Sequence, residues 1–268
     1  MIKDITIGQY IPGESFVHKM DPRAKILLSF AYIVGLFIVT NFKGYIFIVA
    51  FVAFTIFSAK LPFKYIYKGL RPILILILIT ALLNIFMLDG KTKIFVWKFI
   101  TIYKEGVVTA ALMVLRLVFL IVGTSIITLT TSPIELTDGI EKLLSPFKRF
   151  GMPAHELAMM MTIALRFIPT LIDETDKIMK AQMARGADFD SGNIIKKAKS
   201  LIPLLVPLFI SSFRRADELA MAMEARCYRG GEGRTRMKIL KLTYRDSIGT
   251  VITTLFISIC IWSKYWTK

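Results

Sequence analysis

The sequence predicts an all-α membrane protein with about five transmembrane helices and long amphipathic helices beside them. Three observations lead there. Of 268 residues 55% are apolar, mean hydropathy is +0.61 and only 20% are charged, below the share of about 25% usual in soluble proteins. Apolar runs long enough to cross a bilayer recur along the chain. Finally, 35 Lys and Arg against 19 Asp and Glu give a net charge of +16, which suits nucleic acid or the anionic cytoplasmic leaflet; the apolar runs favour the leaflet, and no nucleic-acid partner is expected.

A spanning helix needs roughly 20 mostly apolar residues, because the hydrocarbon core is about 30 Å thick and each residue rises about 1.5 Å. The first 25 residues contain Asp4, Glu14 and Asp21 and no long apolar stretch, so no cleavable signal peptide is expected. Residues 26–40 and 45–59 form two spans joined by Asn41-Phe42-Lys43-Gly44, a turn short enough only for a helical hairpin. Residues 72–88 follow a Lys/Arg-bearing loop as the third span. Residues 106–131 can cross with tilt, and 247–262 close the chain as the fifth span. Arg116 and Asn84 lie within spans and should face protein or headgroups, since a charge in lipid costs at least about 2.5 kcal/mol.

Charge sets the orientation. With the N-terminus inside, 27 positive residues fall on the cytoplasmic side and seven outside (Lys43, Lys91, Lys93, Lys98, Lys104, Lys264 and Lys268), with Arg116 inside the fourth span. A multi-pass cell-membrane protein with a cytoplasmic N-terminus and central region and an external C-terminus is the expectation. Three parts follow: 1–131 with four spans, a cytoplasmic region 132–246, and 247–268 with the fifth span.

The central region carries 19 positive and 14 negative residues yet stays rich in Leu, Ile, Met and Ala, which predicts folded helices. Ser132-Pro133-Ile134-Glu135 reads as an N-cap, a proline at the first helical position and a capping-box glutamate, opening a short helix that ends near Leu144 before Pro146. After Pro153, apolar residues at Leu157, Met161, Ala164, Ile168 and onward to Met183 keep steps of three and four. A second such pattern begins after Ser191-Gly192 and runs through Ile195, Ala198, Ile202, Leu205, Phe209 and Phe213 to Arg226. Pro169 in the first helix and Pro203 and Pro207 in the second each remove a helical N–H, which predicts bends.

The two patterns end alike: Ala184-Arg185-Gly186 and Ala225-Arg226-Cys227, each followed within three residues by an aromatic, with the arginines 41 positions apart. One explanation is capping, in which a cation at a helix C-terminus gains roughly 0.3–1 kcal/mol and glycine supplies the left-handed turn. The other is a pair of docking plugs, because a guanidinium fork can bond carboxylates or carbonyls in a partner's groove. Sequence physics alone leaves both open. Met159-Met160-Met161 suits either a repacking partner surface or ordinary helix packing.

Other chemistry is not supported. The glycine run 230–235 lacks the lysine of a phosphate-binding loop and a preceding strand. His18 and His155 are far apart in sequence and stand outside any Cys or carboxylate cluster at ligand spacing, so no metal or catalytic centre is expected. Cys227 and Cys260 build no disulfide framework.

Several segments together resemble the transmembrane coupling (T) component of energy-coupling factor (ECF) vitamin transporters, of the type shared among several substrate-binding subunits. They are His18-Lys19-Met20-Asp21-Pro22-Arg23-Ala24-Lys25, Pro133-Ile134-Glu135-Leu136-Thr137-Asp138-Gly139, Leu165-Arg166-Phe167-Ile168-Pro169-Thr170-Leu171, Ala181-Gln182-Met183-Ala184-Arg185-Gly186 and Met223-Glu224-Ala225-Arg226. The resemblance implies an L-shaped, non-catalytic subunit whose crossing coupling helices carry ATPase motion to an exchangeable substrate-binding S component. It implies that Arg185 and Arg226 insert into two ATPase subunits, EcfA and EcfA′, and that ATP and Mg belong to those partners, with no cofactor on this chain. Cys227 replaces the family's usual glycine; the arginine contact is expected to survive while the cap changes and the left-handed turn passes to Gly230. Rival readings are a free-standing secondary transporter, which should show paired broken helices at the midplane, and a membrane scaffold, which needs no matched arginine ends.

Overall fold

A computed structural model describes residues 10–90, 92–97, 100–187, 189, 195, 199–231 and 240–266. Most of the stretch in which the second long pattern begins, residues 232–235 of the glycine run and the last two residues lie outside that set. Nine helices account for most of the described residues: α1 (Pro22–Ile38), α2 (Phe42–Ala59), α3 (Phe63–Leu70), α4 (Leu74–Met87), α5 (Lys104–Thr130), α6 (Pro133–Leu144), α7 (Ala154–Ala184), α8 (Ile202–Ala225) and α9 (Tyr244–Trp266). The all-α membrane class is what the structure has, with one addition. Lys93–Trp97 (β1) and Ile100–Tyr103 (β2) pair antiparallel, in a stretch the sequence suggests only as an external loop.

Five helical stretches are long and apolar enough to cross a membrane: Phe42–Ala59, Phe63–Met87, Lys104–Thr130, Ala154–Ala184 and Tyr244–Ser263. Four overlap expected spans. The expected loop before the third span is itself helical, as α3 joins α4 through a turn of 3₁₀ helix at Arg71–Ile73. The first expected span is α1, whose 17 residues reach about 26 Å, slightly short of the hydrocarbon thickness. The fifth candidate is α7, which the sequence assigns to the cytoplasmic region.

The chain divides into two compact units, residues 8–139 with 240–268 and the stretch 140–239. In the first, α5 packs on α1, α2, α3 and α4, while α1 and α2 pack on α9. Leu36, Val39, Ile48, Leu129 and Cys260 are sealed from solvent at its centre. Tyr32, Phe51 and Phe256 stack with centroids 4.3–6.0 Å apart, separations at which aromatic pairs add roughly 0.5–1.5 kcal/mol. Arg116 in α5 faces protein: one Nη donates to the Val39 carbonyl at 3.1 Å and the guanidinium lies 5.4 Å from the Phe37 ring centroid. Asn84 donates to the Thr80 carbonyl one turn back.

In the second unit, α7 packs on α8. Upstream, α6 starts as read: the Ser132 hydroxyl accepts from the Glu135 amide at 3.3 Å and Pro133 occupies the first helical position. The chain then passes through 3₁₀ helix Ser145–Phe150 to left-handed Gly151 before α7.

Candidate functional site

The two long helices of the second unit run in opposite directions. Gln182 near the end of α7 donates to the Pro203 carbonyl at the start of α8, while Glu174, earlier in α7, meets Ser211 and Arg215, later in α8. At the centre of the pair, Arg215 donates to Glu174 Oε2 at 2.8 Å, the Ser211 hydroxyl donates to Glu174 Oε1, and the Arg215 guanidinium lies 5.8 Å from the Phe167 ring centroid. A groove of about 510 Å³ beside it is lined by Phe167, Leu171, Leu219, Met223 and Tyr228. Neither Glu174 nor Arg215 stands out in the sequence, because they are 41 positions apart and no local pattern pairs them.

Both helices end in the same backbone motif. After α7, Gly186 takes φ +87°, its N–H donates to Met183 O at 2.9 Å, and the Ala187 N–H reaches back to Gln182 O at 3.0 Å. After α8, Cys227 takes φ +58°, its N–H donates to Glu224 O at 2.8 Å, and the Tyr228 N–H reaches back to Met223 O at 3.0 Å. This is the paired 6→1 and 5→2 closure that satisfies the last carbonyls of a helix. The expected transfer of the left-handed turn to Gly230 is therefore corrected. Gly230 does have φ +86°, but the cap is made at Cys227, which accepts a conformation costing a side-chain-bearing residue roughly 1–2 kcal/mol. A cysteine can hold it because the two cap hydrogen bonds and exposure of its side chain leave no competing clash.

These caps bear on the arginines. Since backbone N–H groups close both ends, the Arg185 and Arg226 side chains are not what satisfies the terminal carbonyls. Both residues are exposed, and among the described residues neither guanidinium makes a hydrogen bond or ion pair. Each arginine stands eleven residues beyond its helix's member of the Glu174–Arg215 pair, about 16 Å along the axis, at opposite ends of the helix pair.

The prolines divide. Pro169 lies inside α7 and Pro207 inside α8, where each removes a helical hydrogen bond. Pro203 instead sits in the first turn of α8, where its missing N–H costs nothing, just after the turn at Leu201 that separates α8 from helical residues 199–200.

Outward surfaces of α8 are apolar. Ile202, Leu205, Val206, Phe209, Ile210 and Phe213 are all exposed and recur at helical spacing, so they form one uncovered stripe. Met160 and Met161 of α7 are exposed too. Among the described residues, no group of three His, Cys, Asp or Glu could hold a metal. His155 pairs with Glu141 at 3.1 Å.

Residues 13–238 match a family described as cobalt transport protein. The chain is also similar, over nearly its whole length, to proteins named energy-coupling factor transporter transmembrane protein EcfT. It is 70% identical to that of Clostridium kluyveri over 99% of both chains, 57% identical to that of Ruminiclostridium cellulolyticum over 99% of both, and 48% identical to that of Bacillus subtilis over 96% of both.

Proposed function

The chain belongs to the cobalt transport protein family and to the EcfT transmembrane proteins of energy-coupling factor transporters, and on that premise we propose that it is the coupling subunit of an ATP-driven importer. It is a membrane-embedded transporter component. In the proposed cycle, two ATPase partners, EcfA and EcfA′, bind and hydrolyse Mg-ATP; each grips one helix end, through Arg185 after α7 and Arg226 after α8. Their motion changes the disposition of the helix pair, which moves an S component carrying a vitamin. The chain itself contributes no catalytic group.

The observation that carries this reading is the matched pair of helix ends. Both are capped by backbone alone, both leave an exposed guanidinium, and both lie the same distance from one central ion pair. Two separate, equivalent anchors suit two equivalent ATPases, and a planar fork suits a groove lined by carboxylates or carbonyls. The uncovered stripe of α8 supports a second, apolar partner, because exposed apolar patches of this extent mark interaction surfaces. Charge further supports an orientation with 132–246 inside and Lys91 to Lys104 and the C-terminus outside.

Affinity capture of the chain from detergent-solubilised native membranes tests the class. The reading expects two ATP-binding subunits and at least one small hydrophobic membrane protein. Recovery of the chain alone, with solute flux in liposomes lacking ATP, would transfer the case to a secondary carrier. Orientation is tested by a thiol reagent applied to intact cells, with Cys227 and Cys260 replaced: a cysteine at position 93 should react and one at position 176 should not.

A further inference from the structure

The chain leaves the membrane unit after Gly139 and returns to it at Leu240. Both connections are held, within that unit, at the N-terminal end of α1: the outgoing one by Lys25 and the returning one by Asp21 and Arg23. On the outgoing side, the Lys25 ammonium donates to the Thr130 carbonyl at 3.0 Å, the Thr131 hydroxyl at 3.0 Å and the His18 carbonyl at 3.1 Å, so all three of its protons are used. α6 then rides directly on the first turn of α1: a Cβ at Gly139 would stand 3.0 Å from Pro22 Cβ and 3.2 Å from Ile26 Cδ1, so glycine permits the approach. On the returning side, Arg23 donates to the Leu240 carbonyl at 3.3 Å, and the Asp246 carboxylate accepts from the Asp21 amide and the Thr243 amide, each at 2.7 Å. Asp21 fixes Arg23 for that contact: its carboxylate accepts from the Arg23 amide at 2.9 Å and from the Arg23 guanidinium at 3.1 and 2.8 Å.

Asp21, Lys25 and Asp246 are all buried. Burying charge is costly unless every group is paired, and apolar packing would often hold the same elements at least as stably. What charged, directional bonds add is resistance to sliding as well as to separation, since a hydrogen bond weakens steeply when its angle is bent. We propose that Asp21, Arg23, Lys25 and Asp246 form a polar clamp that joins both connections of the coupling region to α1 and passes the region's movement into the membrane helices. The clamp rests on the coupling function proposed above. Its residues are positioning residues; they touch neither nucleotide nor solute.

The experiment uses the whole complex, this chain with both ATPases and an S component, in liposomes. ATP hydrolysis and uptake of a mixture of tritiated riboflavin, thiamine, biotin and folate are measured together. Asp246→Asn keeps the shape of the acceptor and removes its charge, and Arg23→Lys keeps the charge and removes the fork. Both variants are expected to assemble and to hydrolyse ATP within about twofold of the parental rate, while uptake per ATP falls roughly tenfold, a loss ordinary for a broken coupling free energy. A parental ratio of uptake to hydrolysis in both variants would overturn the clamp. So would failure of both to assemble, because the cluster would then be a folding element alone. If the unmodified complex gives no ATP-dependent uptake of any probe, the coupling function has failed and the clamp falls with it.

Discussion

Leu36 and Phe213 are both large apolar residues on long helices, and they end in opposite surroundings. Leu36 is fully buried among α1, α2, α5 and α9, whereas Phe213 on α8 is 69% exposed. The contrast extends to their units. The buried apolar residues of the chain lie almost entirely in the membrane unit; in 140–239 the buried ones are Ala154, Ala158 and Leu204 among the described residues. One unit is stabilised by its own packing. Both present exposed apolar residues, but the other buries few of its own and ties its two helices together at Glu174 and Arg215. An element built that way is suited to be covered and moved by other subunits.

Substitutions on the two sides should therefore fail differently. Leu36→Ala removes packed volume from a sealed core and is expected to cost about 2–5 kcal/mol, seen as a large loss of thermal stability of the isolated chain in detergent. Phe213→Ser should leave that stability nearly unchanged and instead reduce co-purification of the S component. Equal destabilisation by both would break the contrast, since it would mean the α8 stripe is packed in the chain itself.

The polar tie gives a smaller effect. Arg215→Met leaves Glu174 half-buried with only Ser211, and losing a hydrogen bond to a charged group costs roughly 1.5–3 kcal/mol. Because both groups keep some solvent contact, the lower end is expected. Crosslinking between cysteines placed at positions 182 and 203 should become slower and less uniform. Unchanged crosslinking would remove the tie from the account.

Much of this was legible in the sequence because its signals are local. Ser132, Pro133 and Glu135 specify a helix start through neighbouring groups only, and the run of apolar residues in α5 can satisfy its backbone in lipid only as a helix. At Cys227 residue preference points elsewhere, because it favours glycine in the left-handed region, whereas the outcome depends on two hydrogen bonds that the turn closes. Pro203 falls at the start of α8, a boundary that the unbroken apolar stripe of the sequence does not mark. The Asp21–Asp246 contact joins residues 225 positions apart, and no periodicity encodes such a pairing. The arginines were recognisable as a repeated signature, while their freedom from the caps required the backbone geometry.

At the left-handed position the two helix ends carry different residues, Gly186 and Cys227, which supplies a finer test. Cys227→Gly should stabilise the α8 end by at most roughly 1 kcal/mol, and Gly186→Ala should weaken the α7 end by a similar amount. Hydrogen exchange of the last turn of each helix reads both. Opposite signs are expected; the same sign would show that the left-handed turns are not equivalent.

A further small effect concerns pH. Burial lowers the His18 pKa, with the Lys25 charge adding to it and the Ile11 carbonyl opposing. Since that carbonyl can only accept, Nε2 carries the proton and Nδ1 accepts from the Ser15 hydroxyl. The folded chain thus binds the second proton less readily than the unfolded chain does, and stability falls as pH drops through the ordinary histidine value of about 6.5. The thermal midpoint should decline between pH 7.5 and 5.5, and His18→Gln should flatten that decline. An unchanged slope would exclude His18 as its source.

The central claim is that Arg185 and Arg226 are anchors for two ATPases. Its most direct test is co-purification of EcfA and EcfA′ with the parental chain, each single Arg→Ala variant, the double variant and the Arg→Lys pair. Truncation of a buried interfacial charge costs roughly 2–5 kcal/mol, or some 30-fold to several-thousand-fold in affinity, whereas loss of a helix-end charge costs at most about 1 kcal/mol. Each single variant should reach the membrane normally yet bind the ATPases weakly, the double variant should lose both, and lysine should restore binding only in part because it lacks the planar fork. A double alanine variant that retains both ATPases at the parental affinity would contradict the account and leave the two arginines as surface charges at helix ends.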